Sequence, residues 1–171
     1  MRHHLYNPNF NFIVDPIDFD KHTDKDILQY CLGATMYMPG TKNFVDKIIN
    51  NEMPGLTTMV MCFEDACKEE DVPYAEENVH NLLETVADAI EEGRMDSTKL
   101  PLIFCRVRNQ FQFEHFVEDL NEKQVKVLAG INFPKFNSKN GRQYMDLLRK
   151  LNDKYGEVLY GMPIIEDPEV A

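Results

Sequence analysis

The chain has 171 residues, enough for one domain with a substantial hydrophobic core. Apolar residues make up 43% and charged residues 27%, the balance of a folded globular protein rather than a disordered one. Lys and Arg total 18 against 29 Asp and Glu, a formal charge of −11 that argues against broad contact with nucleic acid or an anionic membrane. No apolar run approaches the roughly 18 residues of a membrane helix. The start, Met1-Arg2-His3-His4, has no apolar segment of the signal-peptide kind, and His3 and His4 are too few to mark a tag. Cys31, Cys62, Cys67 and Cys105 show neither a CxxC pair nor zinc-finger spacing. They read as buried free thiols in a cytoplasmic protein.

Residues 1–33 form a compositional zone of their own, an N-terminal extension ahead of residues 34–171. Asn7 to Asp15 is aromatic and polar, and Asp24 to Leu32 reads as a short helix stopped by Gly33. Ala34 to Met38 is an apolar run closed by Pro39-Gly40, after which Phe44, Val45, Ile48 and Ile49 recur at helical spacing. Thr57 to Phe63 is the second run. Val79, Leu82, Leu83, Val86 and Ile90 then share one face of a long helix, with Gly93 as its stop. Leu100 to Val107 is the third run, followed by a helix through Phe113, Phe116, Val117 and Leu120. Val127 to Phe133 is the fourth run. Tyr144, Leu147, Leu148 and Leu151 form the next helix before Gly156, and Val158 to Ile165 is the fifth run.

Apolar strands alternating with amphipathic helices predict an α/β fold with a parallel sheet. The runs begin near residues 35, 58, 101, 128 and 159, about 31 residues apart on average. Eight such units need about 248 residues, the length of a (β/α)8 barrel. Five fit here, so the expectation is either an open five-stranded sheet or an incomplete barrel. A barrel wall of five strands carries apolar edges, here through Met36, Met38, Leu159, Ile164 and Ile165. Such a wall is expected to self-associate or to be closed by the remaining barrel strands.

Every run ends in polar or turn-forming residues: Pro39-Gly40-Thr41, Glu64-Asp65, Arg106-Val-Arg108-Asn109, Pro134-Lys135 and Glu166-Asp167. In barrels and open α/β sheets this edge binds ligands. A single cluster of this kind reads equally as a strand reaching solvent, whereas five in series with complementary charge point to a site. Arg106 either grips a substrate carboxylate bidentately or pairs with Glu64 on the neighbouring strand. Arg108 lies one two-residue step further along. Gly40 reads either as a permissive turn or, with its free N–H ahead of a helix, as a receiver for an anion. Lys135 reads as a contact to substrate phosphate or carboxylate, or as a solvated strand end. His80 and His115 fall on helices, and no nucleophilic Ser-His-Asp or Cys-His set is visible.

Met38-Pro-Gly40, Phe63-Glu-Asp-Ala66, Arg106-Val107 with Asn109, Phe133-Pro-Lys135 and Ile164-Ile-Glu166 occur in the order found in a known family. From about residue 34 to 169 the chain resembles citrate lyase β-subunits and the related HpcH/HpaI 2-oxo-acid aldolases. Within that family it resembles a divergent lyase-like branch of bacterial tellurium-resistance clusters. The resemblance implies a TIM-barrel fold, present here as about five βα units. It also implies Mg²⁺-dependent cleavage of a C–C bond beside a carbonyl, with an enolate formed from a 2-oxo acid or an acyl-CoA thioester. By the same resemblance Glu166 is a metal ligand, with a second carboxylate expected beyond residue 171. Arg106 and Glu64 are catalytic, and Arg106, Arg108, Lys135 and Gly40 bind an anionic small molecule, of which CoA is a possible part. Arg108 is inserted relative to the family pattern, which leaves open which arginine carries the role. Cys62 stands where family members often carry Asp. The expected geometry is Glu64, Arg106 and Glu166 converging at one edge of a parallel sheet. Loss of Arg106 is expected to abolish activity while sparing the fold. The alternative function is a non-catalytic relative or barrel fragment acting through protein contacts.

Overall fold

Each of the five apolar runs becomes a strand of one parallel sheet: β1 Met36–Pro39, β2 Thr58–Cys62, β3 Leu102–Arg106, β4 Leu128–Phe133 and β5 Tyr160–Pro163. The computed structural model describes residues 8–168 and residue 170, so His3, His4 and Ala171 lie outside the described residues. The strands lie in chain order, β1-β2-β3-β4-β5. A doubly wound sheet reverses direction at a switch point, and this sheet has none. Sequential parallel order is the arrangement of a (β/α)8 wall, so the fold is α/β of the TIM-barrel type, with four βα units and a fifth strand among the described residues.

Six helices accompany the strands in the described residues: α1 Lys25–Leu28, α2 Val45–Ile49, α3 Val72–Glu91, α4 Gln110–Glu118, α5 Glu122–Val127 and α6 Gly141–Tyr155. The long apolar face of α3 is as expected, with Val79, Leu82, Leu83 and Val86 fully buried. The helix foreseen over residues 24–32 shrinks to the single turn of α1. Helix α5 was not foreseen at all, because only Val125 and Val127 mark its apolar face. Its signal is polar. Asn121 accepts from the Gln124 N–H while the Gln124 side chain accepts from the Asn121 N–H, a reciprocal cap. Asn121→Ala is expected to cost about 1 kcal/mol, and thus to lower the melting temperature by about 2–4 °C in a calorimetric scan.

Strands β2, β3 and β4 bury both faces. Met59, Met61, Ile103, Cys105, Ile131 and Phe133 pack under the helices in the main core. The alternate residues Val60, Leu102, Phe104 and Ala129 form a second core on the inner face, with Phe19, Leu28 and Cys31 of the N-terminal segment. Residues 19–31 therefore cover part of the face that a barrel would close over. Lys21 pins this segment, donating to the carbonyls of Val125 (2.7 Å) and Leu128 (3.3 Å) and pairing with Glu157 at 3.1 Å. Burial pushes its ammonium below the ordinary lysine value, and Glu157 pulls it partly back. Thr57 Oγ1 donates to Leu32 O at 2.7 Å, and a Cβ on Gly33 would lie 2.5 Å from that hydroxyl. Gly33 also has φ 61°, so two independent constraints demand glycine there. Met38 packs under the helices, while Tyr37 stands half-exposed on the β1 edge.

All four cysteines are buried with free thiols. Burial pushes the Cys67 and Cys105 thiols above their ordinary value, so both pack as small apolar groups. Among the described residues no helix is long and apolar enough to cross a membrane.

Candidate active site

Side-chain alternation brings one row of residues to the inner face at the carboxyl ends of the strands. Cys62, Arg106, Asn132 and Met162 are register partners across β2, β3, β4 and β5. Glu64 lies just past the end of β2, and its carboxylate meets this row at the Arg106 guanidinium. Arg106 Nη2 lies 2.7 Å from Glu64 Oε2, 3.1 Å from Asp65 Oδ2 and 3.7 Å from Glu166 Oε1. Arg106 and Glu64 are each only 8% exposed. The structure thus brings Glu64, Arg106 and Glu166 together at one edge, as the spacing of strand ends predicts. The Arg106–Glu64 pair foreseen as a purely structural alternative is present as well.

Lys135 joins the cluster from the loop after β4, with its Nζ 2.8 Å from Glu64 Oε1. The hydrogen bond and charge of Glu64 hold the Lys135 ammonium above the ordinary lysine range, so it remains a cation near neutral pH. Lys135 has φ 49°, a conformation that favours glycine. Three bonds hold it there: Lys135 N–H to Glu166 Oε1 (2.9 Å), Asn140 Nδ2 to Lys135 O (2.9 Å) and Phe136 N–H to Ile164 O (3.1 Å). A non-glycine residue kept in this region by its surroundings is the kind of strain that gathers at functional sites.

Two residues depart from expectation. Arg108 does not share the Arg106 cluster. It lies past the end of β3, and its Nη1 donates to the carbonyls of Phe63 (2.8 Å) and Cys67 (3.0 Å), bracing the loop after β2. The two-residue step holds only while the chain stays extended, and the strand ends at Arg106. Gly40 lies in the turn after β1, but that turn does not use glycine's left-handed freedom, and the Gly40 N–H is already engaged rather than free to receive an anion. Its N–H donates to Cys62 O at 2.8 Å, which continues the ladder, and its φ lies outside the left-handed region. A Cβ at Gly40 would sit 2.9 Å from the buried Phe63 ring and 3.1 Å from Ala75 Cβ, so close packing explains the glycine. Helix α2 begins only at Val45 and is five residues long.

Asp65 and Asn132 were not singled out as site residues. Asp65 adds a third, exposed carboxylate to Arg106. Asn132 is fully buried and is the one polar residue in the β4 sequence Leu-Ala-Gly-Ile-Asn-Phe, a signal that sequence alone contains. His80 and His115 lie on helices, against Gln124 and Glu76 respectively, contacts that involve none of the cluster residues. A cavity of about 430 Å³, lined by Lys21, Leu102 and Ala129 among others, opens at the opposite edge of the sheet.

The cluster holds two cations, Arg106 and Lys135, against three carboxylates, so one negative charge is uncompensated. Glu64 has both oxygens engaged, by Arg106, Lys135 and the Asp65 N–H. The Glu166 side chain is 38% exposed and offers a hard oxygen at the rim. Among the described residues no three His, Cys, Asp or Glu side chains group into a ready-made metal cage. A single rim carboxylate suits Mg²⁺, which binds through one or two carboxylates and keeps several waters, better than it suits a structural zinc. The model of the protein family described as C–C bond lyase of the TIM-barrel fold matches residues 26–171. That match spans most of the chain and all five strands, and the protein belongs to this C–C bond lyase family.

Proposed function

We propose that the chain makes or breaks a C–C bond beside the carbonyl of a 2-oxo acid or acyl-CoA thioester, in the manner of citrate lyase β-subunits. The observation that carries this reading is the buried Arg106 guanidinium ringed by Glu64, Asp65 and Glu166 at the carboxyl edge of the sheet. In the cleavage direction the C–C electron pair passes into the adjacent carbonyl, and the resulting enolate carries negative charge that must be stabilised. Mg²⁺, bound through Glu166 and waters, would supply Lewis-acid stabilisation of that charge. It would also reverse the negative sign of the cluster, without which an anionic substrate is repelled. Arg106 then grips the substrate's carboxylate or carbonyl. In the resting arrangement Glu64, with both oxygens engaged, holds Arg106 and Lys135, so its role is to position these cations rather than to transfer a proton. Lys135, kept as an ammonium, serves as a cationic contact and not as a base.

Calorimetric titration of the chain with MgCl₂ tests this. Saturable binding is expected, with affinity lost in Glu166→Gln, together with release of a 2-oxo acid from a 4-hydroxy-2-oxo acid. Absence of Mg²⁺ binding overturns the reading in favour of a non-catalytic relative that acts through protein contacts.

A further inference from the structure

We infer that Asn132 is a positioning residue for Arg106, giving the guanidinium a second partner when Glu64 releases it. The inference deepens the proposed function and rests on it only where a substrate-like anion is concerned. Two buried polar atoms of opposite kind face this row without a hydrogen-bond partner among the described residues: the donor Arg106 Nε–H and the acceptor Asn132 Oδ1. They belong to register partners on adjacent strands, and both side chains occupy the inner face. The orientation of the Asn132 amide is not arbitrary. Its Nδ2 donates to Met162 O of β5 at 3.0 Å, and a carbonyl accepts only from the NH₂ end. The β5 side of Asn132 is therefore taken by nitrogen, which turns Oδ1 towards the β3 side, where Arg106 lies. No other residue of the row competes, because Cys62 and Met162 carry no strong acceptor in their side chains.

All the ion pairs of Arg106 run through Nη2, to Glu64, Asp65 and Glu166. A guanidinium is rigid and planar, so one tilt moves all its nitrogens together. Held chiefly by Glu64 at Nη2, Arg106 leaves Nε–H without a partner among the described residues. When a substrate anion or a neutralised Glu64 loosens that strongest hold, Asp65 and Glu166 keep only the longer contacts to Nη2, the plane tilts and Nε–H reaches Asn132 Oδ1. Binding thus satisfies two buried groups that the resting arrangement leaves unmet. A rigid outer partner of this kind fixes the direction in which the arginine presents its remaining donors.

The side-chain ¹⁵N–¹H resonance of Arg106 Nε, assigned by its absence in Arg106→Lys, reports the bond directly. In Glu64→Gln, which removes the strongest charge holding Nη2 without any ligand, this resonance is expected to move downfield and its hydrogen exchange to slow. In Glu64→Gln/Asn132→Leu both changes should vanish. Asn132→Asp retains an acceptor, so it should show the shifted resonance even with Glu64 intact. An Nε signal that is the same with Asn132 present or replaced by Leu overturns the inference. If the double variant does not fold, the Glu64→Gln and Asn132→Asp results decide by the same signal. Oxalate with MgCl₂, a planar dicarboxylate resembling an enolate, separates the two readings. It should produce the same shift in the unmodified protein and bind about 10- to 100-fold more weakly to Asn132→Leu. A Glu64→Gln shift without any oxalate response keeps the inference and removes the anion role proposed for Arg106.

Discussion

Arg106→Ala is expected to unfold far more easily than the unmodified protein, losing about 3–5 kcal/mol of stability, or about 2 M in the urea midpoint. The cause is the partner left behind. Glu64 is 8% exposed and loses the guanidinium 2.7 Å away, keeping only the exposed Lys135 ammonium as a counter-charge. An uncompensated buried carboxylate costs more than the net worth of the pair that held it. The sequence alone leads to the opposite expectation, that loss of Arg106 spares the fold. Glu64→Gln in the Arg106→Ala background removes the stranded charge and should recover a large part of the loss, measured as a double-mutant cycle. Arg106→Lys keeps a cation against Glu64 and should fold. Its ammonium cannot reproduce the planar fork, so lyase turnover should fall by the equivalent of about 2–5 kcal/mol of transition-state stabilisation. Full turnover in Arg106→Lys would show that a point charge suffices and that guanidinium geometry has no part in the reaction.

Gly130→Ala is the second substitution with a large expected effect, at a position that touches no charged group. A Cβ at Gly130 would lie 2.0 Å from Tyr160 O and 2.8 Å from Tyr160 N, both backbone atoms of β5. Gly130 follows a register shift between β3 and β4, where the residue pairs pass from Ile103–Leu128 to Phe104–Gly130. Glycine at such an irregularity permits a close backbone approach that no other residue allows. Neither strand can yield without breaking its ladder, so β5 should detach from β4. The expected cost is at or above the upper end of the 1–3 kcal/mol typical of overpacking. Because β5 leads directly to Glu166, Mg²⁺ binding should fail in the same variant. Amide hydrogen exchange should show lost protection over residues 160–164 while β2 and β3 stay protected. Gly161→Ala provides the control. There a Cβ meets the Phe133 ring at 2.7 Å and Leu148 at 3.2 Å, side chains with some room to move, and a smaller loss is expected. Uniform protection in Gly130→Ala would show that the β4–β5 ladder adapts.

Strands β2, β3 and β4 are legible because a strand buried on both faces must be apolar nearly throughout, and β1 and β5 because apolar runs there end in turn-forming residues. Starts expected near residues 58, 101 and 128 are found at Thr58, Leu102 and Leu128. The stops at Gly93 and Gly156 were legible for a related local reason, since both glycines adopt positive φ at helix ends. The convergence of Glu64, Arg106 and Glu166 followed from parallel strands alone, which deliver their carboxyl ends to one edge. Helix α5 escaped because its stability comes from a polar cap and from packing against α3 rather than from an apolar stripe.

Other features depend on neighbours distant in sequence. The Arg108 side chain follows carbonyls of the loop after β2, and Gly40 answers to the Phe63 ring. Residues 19–31 find their place against Val60, Leu102, Phe104 and Ala129 of the sheet. Local pattern, read along the chain, determines where elements begin and what charge waits at their ends. Which donor meets which acceptor is decided by packing between elements, because hydrogen bonds reach about 3 Å and sequence distance carries no information at that range.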